Sequence, residues 1–233
     1  MSYSESSPPE FIKAAKRCSR KDQACFKEAI QDALPKFAKG YRSMGIPALD
    51  PLLIPLLEIP SGSGAVKMNQ KFTNGQLIGL SSAKIEELNF DVESKKFYWK
   101  FRCPKLILKA NYEMTGQIMV FPVKGKGTME TVMEDIVGEE HVGLAIEMKE
   151  NKPHLKLDGT SLKLDVSKVT YRFDNLFDGN KELGDQINQV MNDNWKAVFD
   201  EIKYSYNSGI QKLVDNIFTK LFEQVPLDEV IID

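Results

Sequence analysis

The residues of this chain whose types can do chemistry are three cysteines, two histidines, scattered carboxylates and a handful of glycines. Cys18 and Cys25 stand seven apart in a polar segment. That spacing fits neither a zinc knuckle nor a redox C-x-x-C pair, and no histidine lies nearby to complete a metal site. Two readings of the pair stand. Either these are unrelated thiols, or they form a disulfide that pins the N-terminal segment to the next helix and implies an oxidising compartment. Cys103 reads as a buried small hydrophobe. His141 falls out of phase with the dry face of its strand and His154 follows Pro153 in a turn, so both are expected at the surface. Glu86-Glu87, Asp135 and Glu139-Glu140 read as solvated charges. The glycines at 62, 64, 125, 127 and 159 match neither a Walker loop nor a dinucleotide fingerprint, and no G-x-S-x-G elbow is present. No catalytic residue, metal site or cofactor is expected, and the chain does not read as an enzyme.

The chain has 233 residues, 31 basic and 33 acidic, for a net charge of −2. With no block of like charge, a nucleic-acid partner has no electrostatic footprint. No apolar run reaches the length that spans a bilayer, so stable membrane insertion is not expected. The opening Met1-Ser2-Tyr3-Ser4-Glu5 lacks a basic region followed by an apolar stretch and is no signal peptide. It fits a cytosolic protein or a mature chain restarted with Met. There is no Asn-x-Ser/Thr acceptor to argue for secretion.

Three zones position these residues. Residues 1–45 read as short helices: Ser6 or Ser7 caps one opened by Pro8-Pro9, and Asp22 caps a second. Pro35 kinks or shortens that second helix, and Lys39-Gly40 stops it. Prolines 47, 51 and 55 then force an extended connection. Residues 56–177 alternate with period two, as in Phe97, Trp99, Phe101 and in Leu106, Leu108, Ala110, Tyr112, Met114. That pattern describes a half-buried antiparallel sheet. Thr73-Asn74-Gly75, Val123-Lys124-Gly125 and Glu150-Asn151 are its turn signals. Residues 180–224 carry one apolar stripe through Leu183, Ile187, Met191, Trp195, Val198, Ile202, Tyr206, Ile210 and Leu213, with a weak point at 205–209.

A helix of this length is too long for an ordinary flat sheet to bury. The arrangement that satisfies both patterns is α+β, with a highly curved antiparallel sheet wrapped along a long C-terminal helix in one domain, 1–233. Such a wrap encloses an elongated apolar interior. Its expected lining is Met68, Phe72, Phe90, Phe97, Trp99, Phe101, Tyr112, Met114, Met129, Met133, Leu144, Met148, Phe173, Met191 and Trp195. Methionine is flexible and polarizable and suits a wall that accommodates varied ligands. Tyr112 and Tyr171 are placed to offer a hydroxyl to a polar ligand head.

The stretch CSRKDQACFKEAIQDALPKFAKG, followed by GIPALDPLLI, resembles the start of the insect juvenile hormone-binding proteins and the related takeout proteins. NLFDGNKELGDQINQVMNDNW, from Asn175 to Trp195, resembles the approach to their long helix, and FTKLFEQVPLDEVI resembles the takeout C-terminus. The matches fall in order at both ends, so the resemblance covers essentially the whole chain. It implies the tubular lipid-binding fold and Cys18–Cys25 as the family's N-terminal disulfide. With only Cys103 left where the hormone-binding proteins proper carry a second disulfide, the takeout branch is the nearer one. The implied protein is a secreted, monomeric carrier of a hydrophobic small molecule or lipid, with a membrane-interacting lipid-transfer module as the competing reading.

Overall fold

The computed structural model describes residues 16–61, 64 and 66–232, so the helix expected at Pro8-Pro9 lies outside the described residues. The first described helix, α1 (Gln23–Ala33), is capped as the sequence dictates, with Asp22 accepting from Cys25 N. Pro35 ends it, a 3₁₀ turn follows over Lys36–Lys39, and Gly40 turns the chain at φ 69°. A Cβ at Gly40 would strike the backbone of Ile46, Pro47 and Ala48, so only glycine fits there.

Seven strands then build one antiparallel sheet: β1 (Leu52–Ile59), β2 (Val66–Ile78), β3 (Lys84–Asp91), β4 (Lys96–Ile118), β5 (Phe121–Lys149), β6 (Lys152–Asp165) and β7 (Lys168–Phe173). The order is β1-β2-β4-β5-β6, with β3 beside the first half of β4 and β7 beside the first half of β5. β1 begins four residues before the expected start of the sheet at 56, inside the proline-rich segment. Pro55 is tolerated because β1 pairs only with β2, and an edge strand need not donate on its free side. Thr73-Asn74-Gly75 and Val123-Lys124-Gly125 are not hairpin turns. The first is a bulge inside β2, with Asn74 at φ 53°, and the second lies within β5. The β4–β5 hairpin turns instead at Met119-Val120. Glu150-Asn151 does turn the chain, both residues having positive φ.

The long ribbon of β4 and β5 changes phase halfway. Phe97, Phe101 and Cys103 face inward, then Pro104 and Lys105 are both exposed, and Leu106 to Met114 resume on even numbers. Across the ladder β5 makes the same change of phase at Glu134 and Asp135, the latter at φ 49°, without a break in register. Both strands thus change together which parity faces inward, with the pairing register kept throughout.

That helix comes in two pieces, α2 (Lys181–Asp193) and α3 (Trp195–Gln224), the latter roughly 45 Å long at 1.5 Å per residue. The break is at Asn194 (φ −113°, ψ 25°) and not at 205–209, which stays helical. Three helices dock by the same device. Asn192 Oδ1 accepts from Tyr171 N and its Nδ2 donates to Tyr171 O, both at 2.8 Å, and Asn188 repeats the pair on Phe173. Gln23 does this to Phe90 on β3, and Gln31 accepts from Ile85 N and donates to Ala83 O. Gln211 on α3 does it between Thr160 and Leu162 on β6. Each amide stands in for a missing neighbour strand on an exposed ladder edge.

The N- and C-terminal segments meet. Cys18 N donates to Val230 O and Ile232 N donates to Cys18 O, both at 3.0 Å. The Cys18–Cys25 disulfide holds this junction to α1.

Candidate functional site

Between the inner face of the sheet and α3 lies a cavity of about 440 Å³. Ile54 and Leu57 of β1, Leu77 of β2, Leu108 of β4 and Met133 of β5 wall it on the sheet side. Tyr206, Gly209, Ile210 and Leu213 wall it on the helix side, with Glu58, Tyr204 and Lys212 at its rim. Helical spacing explains the helix wall, because 206, 209, 210 and 213 fall on one face. Gly209 belongs there for steric reasons: a Cβ would come within 2.7 Å of Leu57 Cδ1. The glycine expected to bend the helix instead brings a strand side chain close to it. The volume falls in the range of small-molecule sites, and the wall is apolar with a polar rim.

The residues expected to line the interior fall into distinct groups. Met68, Phe72, Phe101, Tyr112, Met114, Met129, Met133, Phe173 and Met191 belong to the main buried cluster. Phe90, Phe97 and Leu144 belong to a second one that packs under α1 and the disulfide. Only Met133 of the fifteen borders the cavity between sheet and helix. Trp99 and Trp195 are half-buried, and Lys168 Nζ lies 5.5 Å from the Trp195 ring centroid. Met148 does not face the interior. It is 64% exposed, because the β5–β6 hairpin runs on beyond the packed core, carrying Ile146 out with it.

Tyr112 OH donates to Asp174 O at 2.6 Å, which spends the donor that was expected to meet a ligand head. Burial pushes its hydroxyl up to about 12, helped by the Asp174 charge. Tyr171 OH is buried with no hydrogen-bond partner among the described residues, and burial holds its pKa well above the usual phenol range. Cys103 is fully buried and burial pushes its thiol up to about 12.

Two polar side chains expected at the surface are inside. His154 is 7% exposed and its Nδ1 sits 2.9 Å from Phe222 O. A carbonyl only accepts, so the ring donates there, satisfying one of the last open carbonyls of α3. Glu140 is 0% exposed. It lies two residues before Val142 on the same inward phase, which the Glu139-Glu140 doublet disguises as a surface pair. Trp99 Nε1 donates to Glu140 Oε2 at 2.6 Å, while Glu140 Oε1 has no partner among the described residues. Burial pushes this carboxyl up to about 7, against the Trp99 hydrogen bond and with the help of Asp215. Among the described residues no group of three or more His, Cys, Asp or Glu is placed to hold a metal ion, and no helix is long and apolar enough to cross a membrane.

Comparison with known proteins places this geometry. Residues 2–232 match the family described as haemolymph juvenile hormone binding protein. The circadian clock-controlled protein daywake of Drosophila melanogaster is 26% identical over 234 residues, covering 94% of this chain and 87% of that one. Its Drosophila yakuba counterpart is 25% identical over 235 residues with the same coverage. The crystal structure of Epiphyas postvittana Takeout 1 superposes with a TM-score of 0.85 at 27% identity, covering 93% of this chain and 99% of that one.

Proposed function

The chain belongs to the haemolymph juvenile hormone binding protein family, and from that premise we propose that it is a secreted, monomeric carrier holding one long hydrophobic molecule between α3 and the curved sheet. The observation that carries this reading is the apolar cavity walled by Leu57, Leu108, Met133, Ile210 and Leu213. The buried Met and Phe side chains that continue from it, Met68, Phe72, Met114 and Met129 among them, are proposed as the wall along which a longer ligand extends. Secretion is supported by the Cys18–Cys25 disulfide. The single disulfide favours the takeout branch, so the ligand class is taken broadly, as a fatty acid, terpenoid, polyprenoid or juvenile hormone-like lipid.

The physics is that of burial. Each CH₂ moved from water to a dry wall gains about 0.8 kcal/mol, so a dozen carbons supply roughly 10 kcal/mol before association costs, enough for micromolar binding or better. Solvent extraction of the purified chain followed by mass spectrometry is the test. A long apolar compound in near-stoichiometric amount supports the reading. Extracts empty of such compounds, from a protein that also fails to bind a fluorescent fatty-acid probe, overturn it.

A second reading has one observation behind it. The β4–β5 hairpin tip exposes Met119, Val120 and Phe121 at 44, 76 and 44%, an apolar tip of the kind that docks on bilayers. Liposome sedimentation of the wild type and Val120→Asp separates it from a purely soluble carrier. Sedimentation of the wild type that Val120→Asp abolishes favours docking, and a wild type that stays in solution removes that reading.

A further inference from the structure

The interior buries several polar groups, Gln70, Thr131, His154 and the Tyr171 hydroxyl among them, and at one place two acids lie near each other. Glu140 on β5 pairs across the ladder with Trp99 on β4 and with Leu162 on β6. Gln211 of α3 holds the β6 backbone at Leu162 N and Thr160 O, and its Nε2 also donates to Thr160 Oγ1 at 2.6 Å. Thr160 Oγ1 in turn donates to Asp215 Oδ2 at 2.8 Å. Asp215 lies one helical turn beyond Gln211, on the stretch of α3 whose Ile210 and Leu213 wall the cavity. Every donor in this group is therefore in use. Two acceptors are not: Glu140 Oε1 and Asp215 Oδ1 are buried and without a partner among the described residues. Each such orphaned oxygen costs about 1–3 kcal/mol in a dry interior, while the other oxygen of each acid accepts from Trp99 or Thr160. The Trp99 ring that donates to Glu140 packs against Phe97, Phe101 and Phe218.

We propose that Glu140 and Asp215 form a hydrogen-bond-accepting station that selects, among long apolar ligands, those ending in a hydroxyl. The station rests on the carrier reading above and narrows it from lipids in general to alcohols. A hydroxyl donates its proton to one of the free carboxyl oxygens while its chain lies on the apolar wall. A carboxylate of the same chain length has no proton to give and meets two acids. An ester has no donor at all and leaves both oxygens orphaned.

The experiment uses the full chain, with N-phenyl-1-naphthylamine as the fluorescent probe. It is displaced at pH 7.5 by 1-hexadecanol, hexadecanoic acid and hexadecyl acetate. The wild type is expected to prefer the alcohol by roughly tenfold or more over both others. In the isosteric double variant Glu140→Gln/Asp215→Asn, whose new amide N–H groups donate to a carboxylate, the alcohol-to-acid ratio is expected to fall to about one or invert. Asp215→Asn alone, at a half-buried position, serves if the double variant does not fold, and a several-fold drop in the ratio is then expected. Equal affinities in the wild type, or a ratio that survives the substitutions, overturn the station and leave the pair a place for internal water. A wild type that binds none of the three compounds nor the probe overturns the carrier reading itself, and the station with it.

Discussion

Asn192 grips the backbone of Tyr171 on both sides of its Cα, accepting from Tyr171 N and donating to Tyr171 O at 2.8 Å each. With Asn188 on Phe173, four residues earlier on the helix and two later on the strand, it fastens α2 to the free edge of β7. The helical period of four and the strand period of two match only because both elements run side by side. The amide is irreplaceable there, since an acid loses the donor and a leucine loses both bonds. Asn192→Asp is expected to destabilise the fold by about 1–3 kcal/mol through the orphaned Tyr171 carbonyl. Urea unfolding checks this, and a midpoint unchanged from wild type contradicts the clamp.

Glu140 makes stability depend on pH in a stated direction. Its carboxyl is raised from 4.5 to about 7 by burial, so the folded state holds a proton that the unfolded chain gives up between those values. Stability therefore falls as pH rises through this window, and above about 7 the full penalty of order 3 kcal/mol applies. Glu140→Gln removes that slope. Its stability relative to wild type should be higher at pH 8 than at pH 4.5, by up to about 3 kcal/mol, and parallel pH curves contradict the assignment.

Cys103 should be chemically silent. Fully buried, with its thiol pushed up to about 12 by burial, it offers no thiolate at neutral pH. Ellman's reagent is expected to titrate no thiol in the native protein and one in denaturant without reductant. A fast-reacting native thiol contradicts the burial, and three thiols in denaturant contradict the disulfide.

The Cys18–Cys25 disulfide closes a short loop at the point where Cys18 meets Val230 and Ile232. Cys18→Ser/Cys25→Ser is expected to lower stability by about 2 kcal/mol, at the low end for disulfides because the loop is small. The loss should appear in thermal unfolding, and an unchanged melting temperature contradicts it.

Much of this architecture is legible in the sequence because it is periodic. The odd run at Phe97 to Phe101 and the even run at Leu106 to Met114 are both visible, as is the apolar stripe from Ile187 to Leu213. The change of phase that joins the two strand runs is implied by their opposite parity, while the matching change at Asp135 lies on the neighbouring strand. Asn194 breaks the helix where the stripe gives no warning, while Gly209 stays helical with Leu57 close against it. The wall of the cavity is less legible than its existence. Leu57, Leu77 and Leu108 look like any core leucine, and which of the inward residues border space is decided by curvature. Glu140 and His154 mislead by type, since acids and histidines are seldom buried without partners on distant strands and helices that no local pattern names.

The central claim is that the ligand lies against Gly209 between α3 and the sheet, and one titration tests it. Gly209→Met directs a side chain at Leu57 and into the cavity. N-phenyl-1-naphthylamine should bind the wild type at one site and Gly209→Met at least about tenfold more weakly, the loss expected when a methionine occupies the ligand's volume. Met148→Ala, at the exposed hairpin end, should bind the probe like wild type. A folded Gly209→Met that binds the probe with undiminished affinity contradicts the account.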